Sequence, residues 1–368
     1  MSRFAGIFVP KGGTGVPNGG DMRAIRFVET LDGRALAWTR TGSRTAPSMI
    51  KAAAWLTHLE FDSESPVWAN YVSFMEQHFD YIRYDERGCG LSDRDPGRLD
   101  VDAWIDDLTR VVDAAEPNEP FALFAMSQGT AAAVGFAARY PERVSHLIVL
   151  GGYARGVHHR GNPQAAALYD AVTEIFRAGF DEDNPAFRET FTKRFLPDGD
   201  PEKVAWFNEL CRRTTTAETG ARLLAARGQM DVSDLLGQVQ APTLVLHAEG
   251  DGVAPLDEGR FLAQRIPNAE FCVLPSKNHI LQADEPAWDI ACREILAFTT
   301  GEVPDVDMGL TKKERAILDL ICQAKPNKAI ARDLDMSEKT VRNHATNIFA
   351  KLGVSSRQEA ILKVRSAG

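Results

Sequence analysis

Six predominantly apolar runs, at residues 49–56, 81–84, 121–125, 144–150, 243–247 and 271–274, restrict the architectures open to this chain. A strand that is half solvated alternates apolar and polar residues, whereas a run without that alternation is buried on both faces. Amphipathic helical patterns such as 103–114 and 131–139 lie between the runs. Buried strands separated by helices predict an α/β fold, a mostly parallel sheet covered by helices on both sides. Ahead of them, 26–31 and 35–39 flank Asp32-Gly33, a dipeptide that tolerates positive φ and so favours a tight N-terminal hairpin. Residues 153–238 break the rhythm with several helical segments and few strands, which predicts a helical cap over the C-terminal edge of the sheet.

One core does not readily organise 368 residues, so two domains are expected. Charge marks the division. Residues 308–368 hold 12 Lys and Arg against 6 Asp and Glu, a net +6, which leaves −15 on the remainder of a chain whose total is −9. An acidic body with a basic C-terminal module is the asymmetry expected when only the tail meets a polyanion. The resulting division is a flexible N-terminal arm at 1–23, a body at 24–298 with its cap at about 153–238, a Pro- and Gly-punctuated linker at 299–309, and a small helical domain at 310–368.

The five cysteines, at 89, 211, 272, 292 and 322, are odd in number, widely spaced and without a CxxC pair. That argues against a disulfide framework and a zinc site; no metal or cofactor is expected, and a reducing cytoplasm fits. No apolar stretch approaches the roughly 18 residues of a membrane span, so no membrane partner is expected.

Ser127 stands where the run 121–125 gives way to a helix, in Ala125-Met126-Ser127-Gln128-Gly129. A serine there is often only a helix cap. A nucleophile elbow requires the same pattern, because the sharp turn that aims the hydroxyl out of the sheet has room only for small neighbours. Asp251 then follows the run 243–247, and His279 follows 271–274. The order Ser, Asp, His, each past a different strand, puts all three on one edge of a parallel sheet.

The stretch Tyr84-Asp85-Glu86-Arg87-Gly88-Cys89-Gly90-Leu91-Ser92-Asp93 resembles a landmark of the α/β-hydrolase superfamily. So do Tyr140-Pro141-Glu142-Arg143-Val144 and Ala241-Pro242-Thr243-Leu244-Val245. The resemblance implies Ser127 as nucleophile, His279 as general base, Asp251 as its orienting carboxylate, and the Gln128 N–H as one oxyanion donor. This agrees with the chemistry, since a serine hydroxyl attacks only when an imidazole removes its proton. Two departures stand out. Ala125 replaces the first elbow glycine, and the oxyanion loop is read as Thr57-His58-Leu59-Glu60, with an N–H of Leu59 or Glu60 as the second donor. Losing one such donor costs about 100- to 1,000-fold in rate, so slow hydrolysis or binding without turnover is expected.

An apolar ligand pocket is expected around His58, Met126, Phe176 and Phe180, with Phe187, Phe191, Phe195, Trp206 and Phe207 either lining it or packing the cap. Ser48-Met49-Ile50-Lys51 matches an SxxK pattern but falls on a predicted strand, and His158-His159 reads as solvated surface.

In the small domain, Thr311-Lys312-Lys313-Glu314 forms a capping box before Ile317, Leu318 and Ile321. Asn327 opens a second helix, Ser337 caps a third that Gly353 ends, and Ser356 with Glu359 begins a fourth. On the third, Val341, Ala345, Ile348 and Leu352 share one face at 100° per residue, and Lys339, Arg342, Asn343 and Thr346 lie opposite. These residues, with Leu310-Thr311, Asn327-Lys328, Thr340, His344 and Lys351-Leu352-Gly353-Val354, resemble the LuxR/GerE-type helix-turn-helix domain. That resemblance implies Arg342, Asn343 and Thr346 at bases and Lys328, Lys339, Thr340 and Lys351 near phosphates. It also implies double-stranded DNA as partner and a homodimer joined through the last helix, on half-sites about one helical turn apart.

The expected function is a one-component transcriptional regulator whose hydrolase-like domain binds, and slowly hydrolyses, a small apolar ligand. The alternative is a Ser-His-Asp esterase carrying a DNA-binding or assembly module.

Overall fold

The computed structural model describes residues 24–301 and 311–361, apart from 181, 183, 185, 324, 353 and 355. The N-terminal arm, most of the linker, Leu310 and Gly353 therefore lie outside the described residues, as does the Phe187 side chain.

The body is built on one eight-stranded sheet. In chain order the elements are β1 (Arg26–Glu29), β2 (Ala35–Thr41), β3 (Ser48–Lys51), α1 (Ala69–His78), β4 (Asp80–Tyr84) and α2 (Val101–Ala115). Then come β5 (Phe121–Met126), α3 (Gly129–Arg139) and β6 (Val144–Leu150), followed by four cap helices: α4 (Pro163–Gly179), α5 (Ala186–Phe195), α6 (Pro201–Thr214) and α7 (Ala217–Gln229). The body closes with β7 (Thr243–Ala248), α8 (Leu256–Arg265), β8 (Ala269–Leu274) and α9 (Pro286–Thr300).

Spatial order is β1-β2-β4-β3-β5-β6-β7-β8. The β1–β2 and β2–β4 pairs are antiparallel and all later pairs parallel. β3, β4, β5 and β7 are buried at every residue, as strands covered on both faces must be. One apolar layer joins the sheet to α2, α3 and the segment before β7. The other joins it to α1, α9 and the cap. Asp32-Gly33 makes the expected turn, with Gly33 at φ +75°.

Local signals set the cap helices. Asn162, Asp200 and Thr216 cap α4, α6 and α7 by accepting backbone N–H groups, and Pro163 and Pro201 open α4 and α6, where a missing N–H costs nothing. Tyr169 of α4 ties the cap together by donating its hydroxyl to Leu224 O at 2.9 Å.

Two sequence boundaries move. The apolar run 49–56 is strand only to Lys51: Ala52 N–H still bonds Phe124 O at 2.9 Å, but the chain then leaves the sheet as a loop. The linker does not begin at Thr299, because α9 runs on through Thr300 to Gly301, which caps it at φ +70°. The Thr299 and Thr300 hydroxyls donate to carbonyls one turn earlier, a helical arrangement that polar composition had disguised as linker.

The C-terminal module contains α10 (Lys312–Cys322), α11 (Asn327–Asp333) and α12 (Glu338–Lys351), with a further turn beginning at 357. Its core unites Ile317, Leu318 and Ile321 with Ile330, Val341, Ala345, Ile348 and Leu352. The Thr311–Glu314 capping box and the Ser337 cap are both present. α11 starts one residue earlier than expected: Pro326 is its cap, and the Asn327 side chain instead accepts a bond from Arg357 at 3.1 Å.

Candidate ligand site and nucleic-acid interface

Ser127 closes β5 in a left-handed conformation, φ +51°, and its N–H bonds Leu150 O at 3.2 Å on the neighbouring strand. A non-glycine residue at positive φ is held there against a local cost of about 1–2 kcal/mol. The elbow also needs a glycine at 129, because a Cβ there would come within 2.9 Å of Ala53 O.

Asp251 and His279 reach the same edge from the ends of β7 and β8. The Asp251 carboxylate lies 2.6 Å from His279 Nδ1 and accepts the N–H groups of Val253 and Ala254 at 2.7 and 2.9 Å. Burial raises its pKa, but the His279 imidazole and these bonds outweigh burial and hold the carboxyl below its ordinary value. Ser127 Oγ and His279 Nε2 are both buried and have no hydrogen-bond partner among the described residues. Gly151, at φ +58°, makes room for the pair, since a Cβ there would stand 3.2 Å from the imidazole. The cap also touches the triad: Phe195 O accepts His279 N–H at 3.0 Å, and the Phe195 ring meets the imidazole edge-on at 5.5 Å.

The oxyanion assignment changes. Leu59 N–H donates to the Asp85 carboxylate at 3.2 Å, and the same oxygen takes Leu91 N–H at 2.9 Å. Leu59 is thus committed to pinning the Tyr84–Asp93 motif, and Glu60 sits one residue further along, at the start of a short 3-10 turn. Loop residue Trp55 instead lines a cavity beside Gln128. The error followed from reading 52–56 as strand.

That cavity measures about 480 Å³. Its walls come from Trp55, Gln128 and Tyr153 below and from α4, α5 and α7 above. The pocket expected around His58, Met126, Phe176 and Phe180 is not the one built. His58 accepts Phe61 N–H on Nδ1 at 3.3 Å, and Met126 is buried inside β5. Phe176 and Phe180 pack against each other with ring centroids 4.1 Å apart and tilted, with Phe176 backing Trp55 at 5.3 Å. Phe191 and Phe195 do face the space.

The sequence reading missed the charged wall. Arg160, Arg194 and Arg227 all line the cavity, and no Asp or Glu does. Arg227 is 2% exposed and forms an ion pair with the equally buried Glu86 of the motif segment. The available signal was position: Arg227 lies one turn after Leu223 on the buried face of α7.

Other candidates resolve simply. Ser48 donates to Asp80 at 2.9 Å, and Lys51 is buried over the Trp68 ring at 4.9 Å, away from the cavity. His158 and His159 bond Asp170 and Gln229 O. Among the described residues no group of three or more His, Cys, Asp or Glu is placed to hold a metal, and no helix is long and apolar enough to cross a membrane.

On α12, Val341, Ala345 and Ile348 are buried, while Lys339, Arg342, Asn343 and Thr346 are exposed; Lys328 on α11 is exposed as well. Arg342 meets Glu338 only at 3.5 Å on the surface, a pair of little energetic weight. Thr340 joins the Ser337 cap at 2.7 Å, and the Thr346 hydroxyl donates back to Arg342 O at 3.1 Å. Lys351 differs from expectation: its ammonium is 2.7 Å from Glu314, the capping-box carboxylate, and so braces α12 against α10.

The chain belongs to the α/β hydrolase fold family, which matches residues 61–286. Residues 308–364 match the bacterial regulatory proteins of the luxR family. Over 59 residues the C-terminal module is 48% identical to the spore germination protein GerE of Bacillus subtilis, covering 16% of this chain and 80% of that one. The body is similar to 3-oxoadipate enol-lactonase 2 of Acinetobacter baylyi, 24% identical over 278 residues, 72% of this chain and 94% of the relative. Among solved structures, a hydrolase from Pseudomonas aeruginosa superposes with a TM-score of 0.61 at 24% identity, covering 74% of this chain and 97% of its own. That likeness concerns the fold.

Proposed function

We propose that this protein is a one-component transcriptional regulator of the cytoplasm in which ligand binding in the cavity beside Gln128 changes DNA binding by the C-terminal module. One observation carries the reading: a cavity lined by cap helices shares a chain with an exposed helix face bearing Lys339, Arg342 and Asn343. Coupling of about 1–3 kcal/mol between the two ligands is what such a regulator requires. The contact from Phe195 to His279 makes cap position sensitive to whatever occupies the site. The protein acts as a homodimer on paired half-sites, as helix-turn-helix regulators with two-fold operators do.

Slow ester hydrolysis accompanies binding in this reading. Ser127 attacks, His279 takes its proton, and Asp251 orients the imidazole; the N–H groups of Gln128 and Trp55 receive the oxyanion. The second reading, an esterase in its own right, is favoured by the strained Ser127 and the short Asp251–His279 contact. Selection of bound DNA from a random pool, followed by affinity measurements with and without ligand, decides between them. An affinity that never responds to a cavity ligand would leave only the esterase.

A further inference from the structure

We propose that the cavity beside Gln128 selects a carboxylate, carried on an otherwise apolar small molecule. This inference rests on the cavity being the ligand site and specifies what enters it.

Three guanidinium groups border the space with no acidic side chain among its lining residues. Arg227 is the most constrained. Glu86 takes its Nη2, but Nη1 and Nε are buried and have no partner among the described residues. A buried donor left unpaired carries an uncompensated desolvation cost, heavier still for a charged group. The guanidinium also stands over the Trp55 ring at 5.3 Å, and both residues line the cavity.

Arg194, at the end of α5, forms no ion pair or side-chain hydrogen bond among the described residues. Burial lowers its pKa from the ordinary arginine value, while the nearest carboxylate that it feels, Asp251, is already engaged by His279. Arg160 donates its Nε to Arg155 O at 2.8 Å and packs over the Tyr153 ring at 4.6 Å, and its other N–H groups form no hydrogen bond among the described residues. Three guanidinium groups facing one space, with a single carboxylate, Glu86, paired among them, make a field that favours a bound anion.

The rest of the lining is apolar or aromatic, including Val157, Val172, Phe191 and Phe195. The complementary ligand therefore has an apolar body and one planar anionic group, the shape that a guanidinium reads. The apolar ligand expected from sequence gains a charge.

Calorimetry on the full-length Ser127→Ala protein tests this, with phenylacetate, 4-phenylbutyrate and octanoate each compared with its primary amide. At least one carboxylate is expected to bind about tenfold more tightly than its amide, the gain of one hydrogen-bonded charge contact. Arg194→Gln, at a partly exposed position that does not endanger the core, is expected to bring that pair within about threefold and leave the amide unchanged. Amides that bind as tightly as their acids overturn the anion selection and leave the ligand site standing. Failure of all six probes to bind overturns both.

Discussion

Asp251 and His279, 28 residues apart in sequence and carried on different strand ends, meet at 2.6 Å, with the imidazole Nε2 left without a partner among the described residues. The contact engages Nδ1 and leaves Nε2 as the nitrogen available to a reaction. Its consequence is a defined effect on turnover rather than on affinity.

Asp251→Asn is expected to lower kcat for p-nitrophenyl butyrate by about 10⁴-fold, because the amide stabilises the wrong tautomer. Affinity for a non-hydrolysed cavity ligand should stay within about twofold, since Asp251 does not line the space. Steady-state kinetics beside calorimetry would expose the opposite pattern, affinity lost and rate kept.

Gly151→Ala places a methyl group 3.2 Å from the imidazole at a backbone φ of +58°. About 1–2 kcal/mol of stability should be lost to the left-handed conformation alone. Esterase activity should fall further than Tm suggests, because His279 is displaced. A variant with normal kinetics would show that the pocket relaxes around the methyl.

Arg342→Ala should weaken binding to a selected DNA site by about 1–3 kcal/mol, and Lys339→Ala should reduce the salt dependence by about one counterion without changing sequence preference. Lys351→Ala should alter DNA affinity less than either, because Glu314 already holds that ammonium. Fluorescence anisotropy across a salt series separates the three.

Glu314 gives the small domain a pH limit. The Lys351 ammonium and the Thr311 N–H hold its carboxyl down at about 2, below the unfolded value of 4.5. A depressed carboxyl contributes stability that is present above 4.5 and lost as pH falls toward 2. Hydrogen exchange in α10 and α12 should therefore lose protection across that window, and Glu314→Gln should flatten the response. Equal pH profiles for wild type and variant would count against the bridge.

Ile348→Ala, at a fully buried position in the C-terminal core, should cost about 2–5 kcal/mol there and abolish DNA binding while cavity-ligand affinity is unchanged. Differential scanning calorimetry should show one transition moving without the other.

Much of this was legible in the chain. Uninterrupted apolar runs specified a covered parallel sheet because no other environment accepts strands apolar on both sides. The α12 stripe at Val341, Ala345 and Ile348 followed from helix geometry alone, and the order of Ser127, Asp251 and His279 followed from strand ends. These are local properties, set by periodicity and backbone preference. The cavity was different. Residues 52–56 are as apolar as a strand, yet they leave the sheet, with the Ala52 and Ala53 carbonyls packed close to Gly129, and carry Trp55 to the cavity. Leu59 was lost as an oxyanion donor through a bond to Asp85, 26 residues away. Arg194 and Arg227 look in sequence like any helical arginines, and their meaning comes from N–H groups that the fold leaves without partners among the described residues, even where Glu86 takes one of them. Sequence determined the elements and the chain order of Ser127, Asp251 and His279, whereas tertiary structure decided which polar groups found partners and which were left without them.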